Sequence, residues 1–314
     1  MSANDPFHHV KDGSVWELPT FVCRLFGLDA YPSLPVVSIF GYEFAITKYM
    51  VLQVVALVLS FVIFRGLATR VRDGKPVAGA WWNFWETLAL FIRDQVVRPS
   101  IGIPHHHDDH DHGHGDGAHD HVEHGHAGAA HVSATLVEAG HPADKYLPYV
   151  WSVFFYILFC NLLGAIPFLG SPTGSISVTA VLAVVTFAHV VFFGSQQSGA
   201  VGFWKSLVPH MDLPGPLAIV LVPGLWLIEA LGLFIKHGVL AVRLFANIMA
   251  GHTVLGVFLA FIAQVDGVLW GIVMPASILG QVGIGMLELF VAFLQAYVFS
   301  LLTSLFISAA VNPH

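Results

Sequence analysis

The chain has 314 residues, of which 56% are hydrophobic and 11% charged, and its mean hydropathy is +0.73. Soluble globular domains carry about 25% charge, and several stretches here exceed the ~18 apolar residues that mark a membrane helix, so an ordinary soluble protein is excluded. A transmembrane barrel is excluded as well, because its alternating polar/apolar pattern is absent, and the net charge of −7, owed partly to one acidic insert, gives no argument for a nucleic-acid partner.

Residues 1–43 read as an extracytoplasmic arm, with turn signals at Pro19, Pro32, Pro35 and Gly41. No basic stretch followed by an apolar one opens the chain, so neither a cleaved signal peptide nor a transit peptide is expected. The first membrane helix is expected over 44–68. Arg65, Arg70, Arg72 and Lys75 follow it, and the positive-inside rule makes that loop cytoplasmic and the N-terminus external. Within 69–103, the pattern of 81–97 suits an amphipathic helix in the membrane interface. Trp81, Trp82, Trp85, Leu88, Phe91 and Ile92 interleave there with Asn83, Glu86, Arg93 and Asp94.

Residues 104–141 form a low-complexity insert holding twelve of the nineteen histidines. It buries no core and is expected to be disordered. Imidazoles and carboxylates suit zinc, nickel or copper, and His105, His106, His107, His110, His112 and His114 are candidates for adventitious metal binding. Their irregular spacing fixes no tetrahedral site. A tolerated loop and a metal-binding segment both stay open. The two cysteines, Cys23 and Cys160, suggest no disulfide framework.

The membrane domain is expected over 142–314. Spans are read at 148–169 and 176–193, and Pro209, Pro214 and Pro216 then break the chain. Two apolar segments follow, 217–263 and 271–310, each about twice the ~20 residues a straight crossing needs. The expected fold is an all-α polytopic membrane protein with about five membrane helices and one interfacial helix. The last two helices are long, strongly tilted and joined as a hairpin around 264–267.

Polar residues in these two segments repeat every seven positions: Glu229, Lys236 and Arg243 in the first, Gln281, Glu288 and Gln295 in the second. Seven residues bring a helix back to within about 20° of its starting direction, so each set forms a stripe. Asn247 follows Arg243 by four residues and shares its face. His252 follows by nine, about 180° round the helix. A guanidinium stays charged at biological pH, and holding one at the centre of a membrane helix costs roughly 2.5–3.5 kcal/mol on insertion scales. Asn247 and Gln281 are equally read as helix-pairing groups. A structural arginine would need an acid partner in the chain; Glu229 is about 21 Å away along the helix at ~1.5 Å per residue, and whether Glu288 lies nearer depends on the packing register. The task Arg243 suggests is to face a carboxylate on another subunit and control a proton path. His252 and Glu288 could pass a proton, because histidine titrates near neutral pH.

Residues 241–252, Ala-Val-Arg-Leu-Phe-Ala-Asn-Ile-Met-Ala-Gly-His, resemble the signature helix of subunit a of F-type ATP synthases. Residues 289–299, with Gln295-Ala-Tyr-Val-Phe299, are similar to that family's closing helix, and Asn161-Leu-Leu-Gly-Ala-Ile-Pro167 to an earlier family run. The resemblance covers roughly 81 to the C-terminus without the insert. It implies a non-catalytic stator subunit of the F0 sector in a bacterial inner membrane, with no cofactor. The implied partners are the c-ring, the subunit b stalk, the remaining F1F0 subunits and membrane lipid. Arg243 matches the arginine facing the ring, Gln295 its neighbouring glutamine, and Asn247 the asparagine one turn on. His252 and Glu288 match an imidazole/acid pair found in either order, and Glu229 an acidic position on the cytoplasmic access side. Gly164 stands where some members carry an acid, and the His-rich insert is not a family feature. A metal-cation transporter is the alternative, though a central arginine repels a divalent ion.

Overall fold

The computed structural model describes residues 36–39, 42–71, 79–101, 141–166, 169–207, 215–265 and 267–312. The arm outside 36–39 and 42–43, the His-rich insert apart from His141, Pro209 and Pro214 lie outside the described residues.

Two short strands come first, β1 (Val36–Ile39) and β2 (Tyr42–Ala45). They pair antiparallel with Val36 opposite Ala45. Thr47 then starts a helix: its Oγ1 accepts the Met50 N–H at 3.4 Å, as a helix-capping hydroxyl does. Helix α1 therefore spans Lys48–Val71 rather than 44–68, because Phe44 and Ala45 are committed to β2. At its other end α1 runs past two arginines. Arg70 donates from Nη1 to the Gly66 carbonyl at 3.0 Å and lies over the Trp82 ring at 3.9 Å, so the charge is met by helix-terminal carbonyls and an aromatic face.

Helix α2 (Ala80–Ile92) continues through a π-helical turn (Arg93–Val97) into a last turn (Arg98–Ser100). Pro99 supplies the reason for the wide turn. It has no N–H for the carbonyl four residues back, and its ring crowds that carbonyl. The sequence pattern placed Glu86 and Arg93 among outward polar residues. Instead they are 3% and 4% exposed, because α2 and the turn after it pack against several helices on that side, while Trp81, Phe84 and Phe91 stay exposed on the other. Trp85 meets Phe155 and Phe159, Phe91 meets Tyr297, and the Ala89 carbonyl accepts the Trp151 indole N–H at 2.9 Å.

The remaining helices are α3 (Leu147–Gly164), α4 (Ile176–Ser198), α5 (Ala200–Ser206), α6 (Gly215–Gln264) and α7 (Trp270–Val311). Five helices are long and apolar enough to cross a membrane: α1, α3, α4, α6 from Leu221, and α7. The chain is thus a multi-pass all-α membrane protein, its two short strands preceding the first span. The span expected at 148–169 stops at Gly164, where the chain turns, and the one expected at 176–193 runs on to Ser198.

Helices α6 and α7 are single continuous helices of 50 and 42 residues. At ~1.5 Å per residue they are about 75 and 63 Å long, twice a ~30 Å hydrocarbon layer, so they tilt steeply or project beyond it. Gly267 makes the turn between them with a φ of +75°, a conformation glycine adopts without steric cost. Helix α3 is the hub, with 67% of its most apolar window buried within the chain, against 6% for α6. One side of α6 packs on α4 and α7, and much of the rest is left for lipid or another subunit.

Candidate functional site

The site is built where α6 and α7 run side by side. On α6 the residues His237, Leu240, Ala241, Leu244 and Ile248 are buried, and their spacing is that of one helical face. The other face carries Glu229, Lys236 and Arg243, all exposed. Arg243 makes no ion pair or hydrogen bond among the described residues. On α7 Glu288 and Gln295 are buried, at 8% and 6% exposure, and Gln281 is half-buried. The two heptad stripes therefore do not close on one another. That of α7 turns inward, and that of α6 opens outward.

Glu288 reaches across to Gly251. A Cβ built on Gly251 would stand 2.9 Å from Glu288 Oε1, so the carboxyl occupies the space that the missing side chain leaves. A cleft of about 180 Å³ opens here, lined by Asn247, Gly251 and Glu288 with the apolar Ile248, Val254, Ile284 and Val291. His252, half-buried, is the next residue after Gly251. Asn247 and Glu288 thus line one cleft, and His252 stands beside it in sequence without lining it. Arg243 and Gln295 do not line the cleft, and Glu229 stands far along α6.

Several polar atoms in this region are buried with no hydrogen-bond partner: His252 Nε2, Gln281 Nε2, Glu288 Oε1, Gln295 Nε2 and, further along, His237 Nε2 and Thr303 Oγ1. Buried polar atoms are paired in the great majority of cases. A succession of orphans along one helix pair suits a polar path rather than a sealed apolar contact.

Asn161 fixes the position of α7. Its Nδ2 donates to the Ala292 carbonyl at 3.3 Å, and Ala292 lies between Glu288 and Gln295, about one turn from each. Its Oδ1 accepts from Thr173 Oγ1 at 2.8 Å, and Ser171 and Thr173 share a 2.8 Å hydroxyl contact. Gly164 allows this turn to close, since a side chain there would overlap Ser171. In the sequence Asn161 stands out only as the start of the run Asn161–Pro167, and His237 belongs to no motif. For His237 a signal was present, its helical spacing with Leu240, Ala241 and Leu244. Among the described residues no three His, Cys, Asp or Glu side chains gather as a metal site. The histidines of the insert, His105 to His114, lie outside those residues.

The family model described as ATP synthase A chain matches residues 129–308. Among curated proteins, "ATP synthase subunit a 2" of Chlorobaculum tepidum is 34% identical over 307 residues, covering 96% of this chain and 71% of that protein. "ATP synthase subunit a" of an Anaeromyxobacter species is 32% identical, covering 98% and 70%. Its counterpart from Chloroherpeton thalassium is 30% identical, covering 98% and 76%.

Proposed function

Because this chain belongs to the ATP synthase A chain family, we propose that it is the stator that carries protons to and from a rotating ring of c subunits in the F0 sector. The observation that carries the reading is Arg243. A guanidinium that cannot lose its charge stands exposed on a long apolar helix with no acid partner among the described residues. The partner that such a charge needs comes from outside the chain, and a carboxylate on a c subunit moving past α6 fits.

In this reading a proton enters past Glu288 and His252 and neutralises a ring carboxylate, which then faces lipid at small cost. After nearly a full turn the carboxylic acid reaches Arg243. The nearby positive charge favours the ionised form, so the proton leaves toward Glu229. The same charge repels protons and blocks direct leakage between the two half-paths. By its motif Gln295 is assigned to the same polar path as the arginine, from the buried side of α7, and Asn247 polarises the cleft one turn from Arg243. The driving energy is about 2.3 kcal/mol per charge per 100 mV. No covalent bond is made or broken on this subunit. Its setting is the bacterial inner membrane with the N-terminus outside, in contact with the c-ring, the subunit b stalk and the rest of F1F0.

The test is Arg243→Ala in the whole complex in inverted membrane vesicles. ATP-driven proton pumping is abolished while the complex still assembles. Arg243→Lys is also severely impaired, because an ammonium is a compact charge whose pKa shifts readily. Retained pumping in Arg243→Ala refutes the assignment.

A further inference from the structure

His237 is a buried titratable side chain that the mechanism above does not use. It is 3% exposed, with the Phe306 ring 4.8 Å away and the Phe187 ring edge-on at 5.3 Å. Its Nδ1 lies 2.8 Å from the Leu233 carbonyl oxygen. A carbonyl only accepts, so Nδ1 carries the proton of the neutral ring and Nε2 is left as the acceptor. Nε2 is buried with no partner. A residue kept only to fill this aromatic cage needs no polar atom, and burying one unpaired is costly.

The helix register adds a second observation. Helices α6 and α7 are antiparallel, with Gly251 against Glu288 and His237 against Phe306. That register brings Thr303 level with His237. Thr303 is fully buried and its Oγ1 is also unpartnered. His237 lies six residues before Arg243 and His252 nine after it. The two imidazoles are about 60° apart round α6 and about 22 Å apart along it. That distance is too great for direct transfer, so they belong to separate segments on the two sides of Arg243.

Resting on the proposed function, we infer that His237, with Thr303 opposite, is the proton-accepting group of the half-path on the Glu229 side, the counterpart of His252 on the other. During synthesis the Nε2 lone pair accepts the proton released beside Arg243, giving an imidazolium. It then returns that proton toward Glu229, while Nδ1–H stays on the Leu233 carbonyl throughout. Lys236, adjacent but exposed, and Glu229, two turns back and exposed, are the charged groups nearest to it on α6. Helices α4 and α7 bring Phe187 and Phe306 against it, Thr303 lies one turn from Phe306 on α7, and no acid pairs with it among the described residues.

The test uses the whole ATP synthase complex in inverted vesicles, with the two compartments titrated separately. His237→Leu removes the titrating group. His237→Asn also removes it but keeps a donor for the Leu233 carbonyl, which separates titration from packing. In both, ATP-driven pumping falls roughly 100-fold, the scale of a lost acid–base group, and the rate loses its dependence on the pH of the compartment that Glu229 faces. An assembled variant of either kind with wild-type rate and pH profile overturns the inference. So does a wild-type complex whose rate shows no inflection between about pH 5 and 8 when only that compartment is titrated. Arg243→Ala is measured alongside. If it retains pumping, the proposed function itself fails; if it is dead while His237→Asn behaves as wild type, this inference alone fails.

Discussion

Gly251 is small because Glu288 needs its space. A methyl group there would stand 2.9 Å from the carboxyl oxygen, closer than unbonded atoms tolerate, and a branched side chain would push the carboxyl out of the cleft. Under the proposed function, Gly251→Val in the assembled complex is expected to slow ATP-driven pumping about 100-fold, the cost of misplacing a reacting group by about 1 Å. Wild-type pumping would show that the carboxyl position is immaterial. Glu86 makes a different argument. It is 3% exposed, its Oε1 is unpartnered, and burial raises its pKa above the ordinary 4.5. A raised carboxyl favours the fold most while neutral. That contribution is full below about pH 4.5 and is lost as pH rises through the higher folded value. Glu86→Gln is therefore expected to raise the melting temperature of the purified complex at pH 8 and to have no effect below pH 4.5. A lower melting temperature at pH 8 would mean that the ionised group has a favourable partner.

Helix ends are held by specific polar contacts, and these decide how the elements stand to one another. Arg98 grips Asp144 with two parallel hydrogen bonds, Nε to Oδ1 at 3.1 Å and Nη2 to Oδ2 at 3.0 Å, the strong bidentate form of the pair. This joins the last turn after α2 to the 3-10 turn (Pro142–Lys145) before α3. The Arg98 hydrogen bonds hold the Asp144 pKa below the ordinary 3.8, against a smaller opposing effect of burial. The stabilisation is full above that value and is lost as pH falls through the lower folded one. Asp144→Asn is expected to cost on the order of 1 kcal/mol, the upper range for a partly exposed ion pair, and to remove that acid sensitivity. Thermal unfolding at pH 7 and pH 3 measures both. Asn161 has a larger part, because it ties α3 and the Ser171–Thr173 turn to the backbone of α7 between Glu288 and Gln295. Asn161→Ala leaves buried groups unpaired at roughly 1–3 kcal/mol each. Disordered cross-linking between α3 and α7 would report the loss of register.

Across the whole molecule, burial is unevenly shared. The chain wraps α3 and covers α6 along one side only, with 6% of the most apolar window of α6 buried against 67% for α3. Within lipid, helices associate through packing and hydrogen bonds rather than through the hydrophobic effect, so this uncovered flank can be met by lipid or by another subunit. The Arg98–Asp144 pair also joins the described residues that flank 104–140. Deleting 104–140 is therefore expected to leave ATP-driven pumping unchanged, with or without a chelator. A chelator-sensitive loss in the intact chain alone would assign the insert a metal-dependent role.

The number of spans and the long final hairpin were legible in the linear chain, as was the presence of rare polar residues at 229, 243, 247, 252, 288 and 295, of which the structure brings Asn247 and Glu288 into one cleft. Long apolar runs have few structural options in a bilayer, and rare charges within them stand out. Other features depend on partners distant in sequence. Glu86 and Arg93 look solvent-facing by local pattern, yet they are buried because helices far along the chain close over them. The equal heptads of α6 and α7 give no sign that one turns outward and the other inward. The orphaned nitrogen of His237 became visible only once Phe187 and Phe306 were brought against it. Sequence settles what a single helix needs in order to cross a membrane. Only tertiary packing determines which of its faces meets a neighbour, because that depends on the register between helices and not on the period within one.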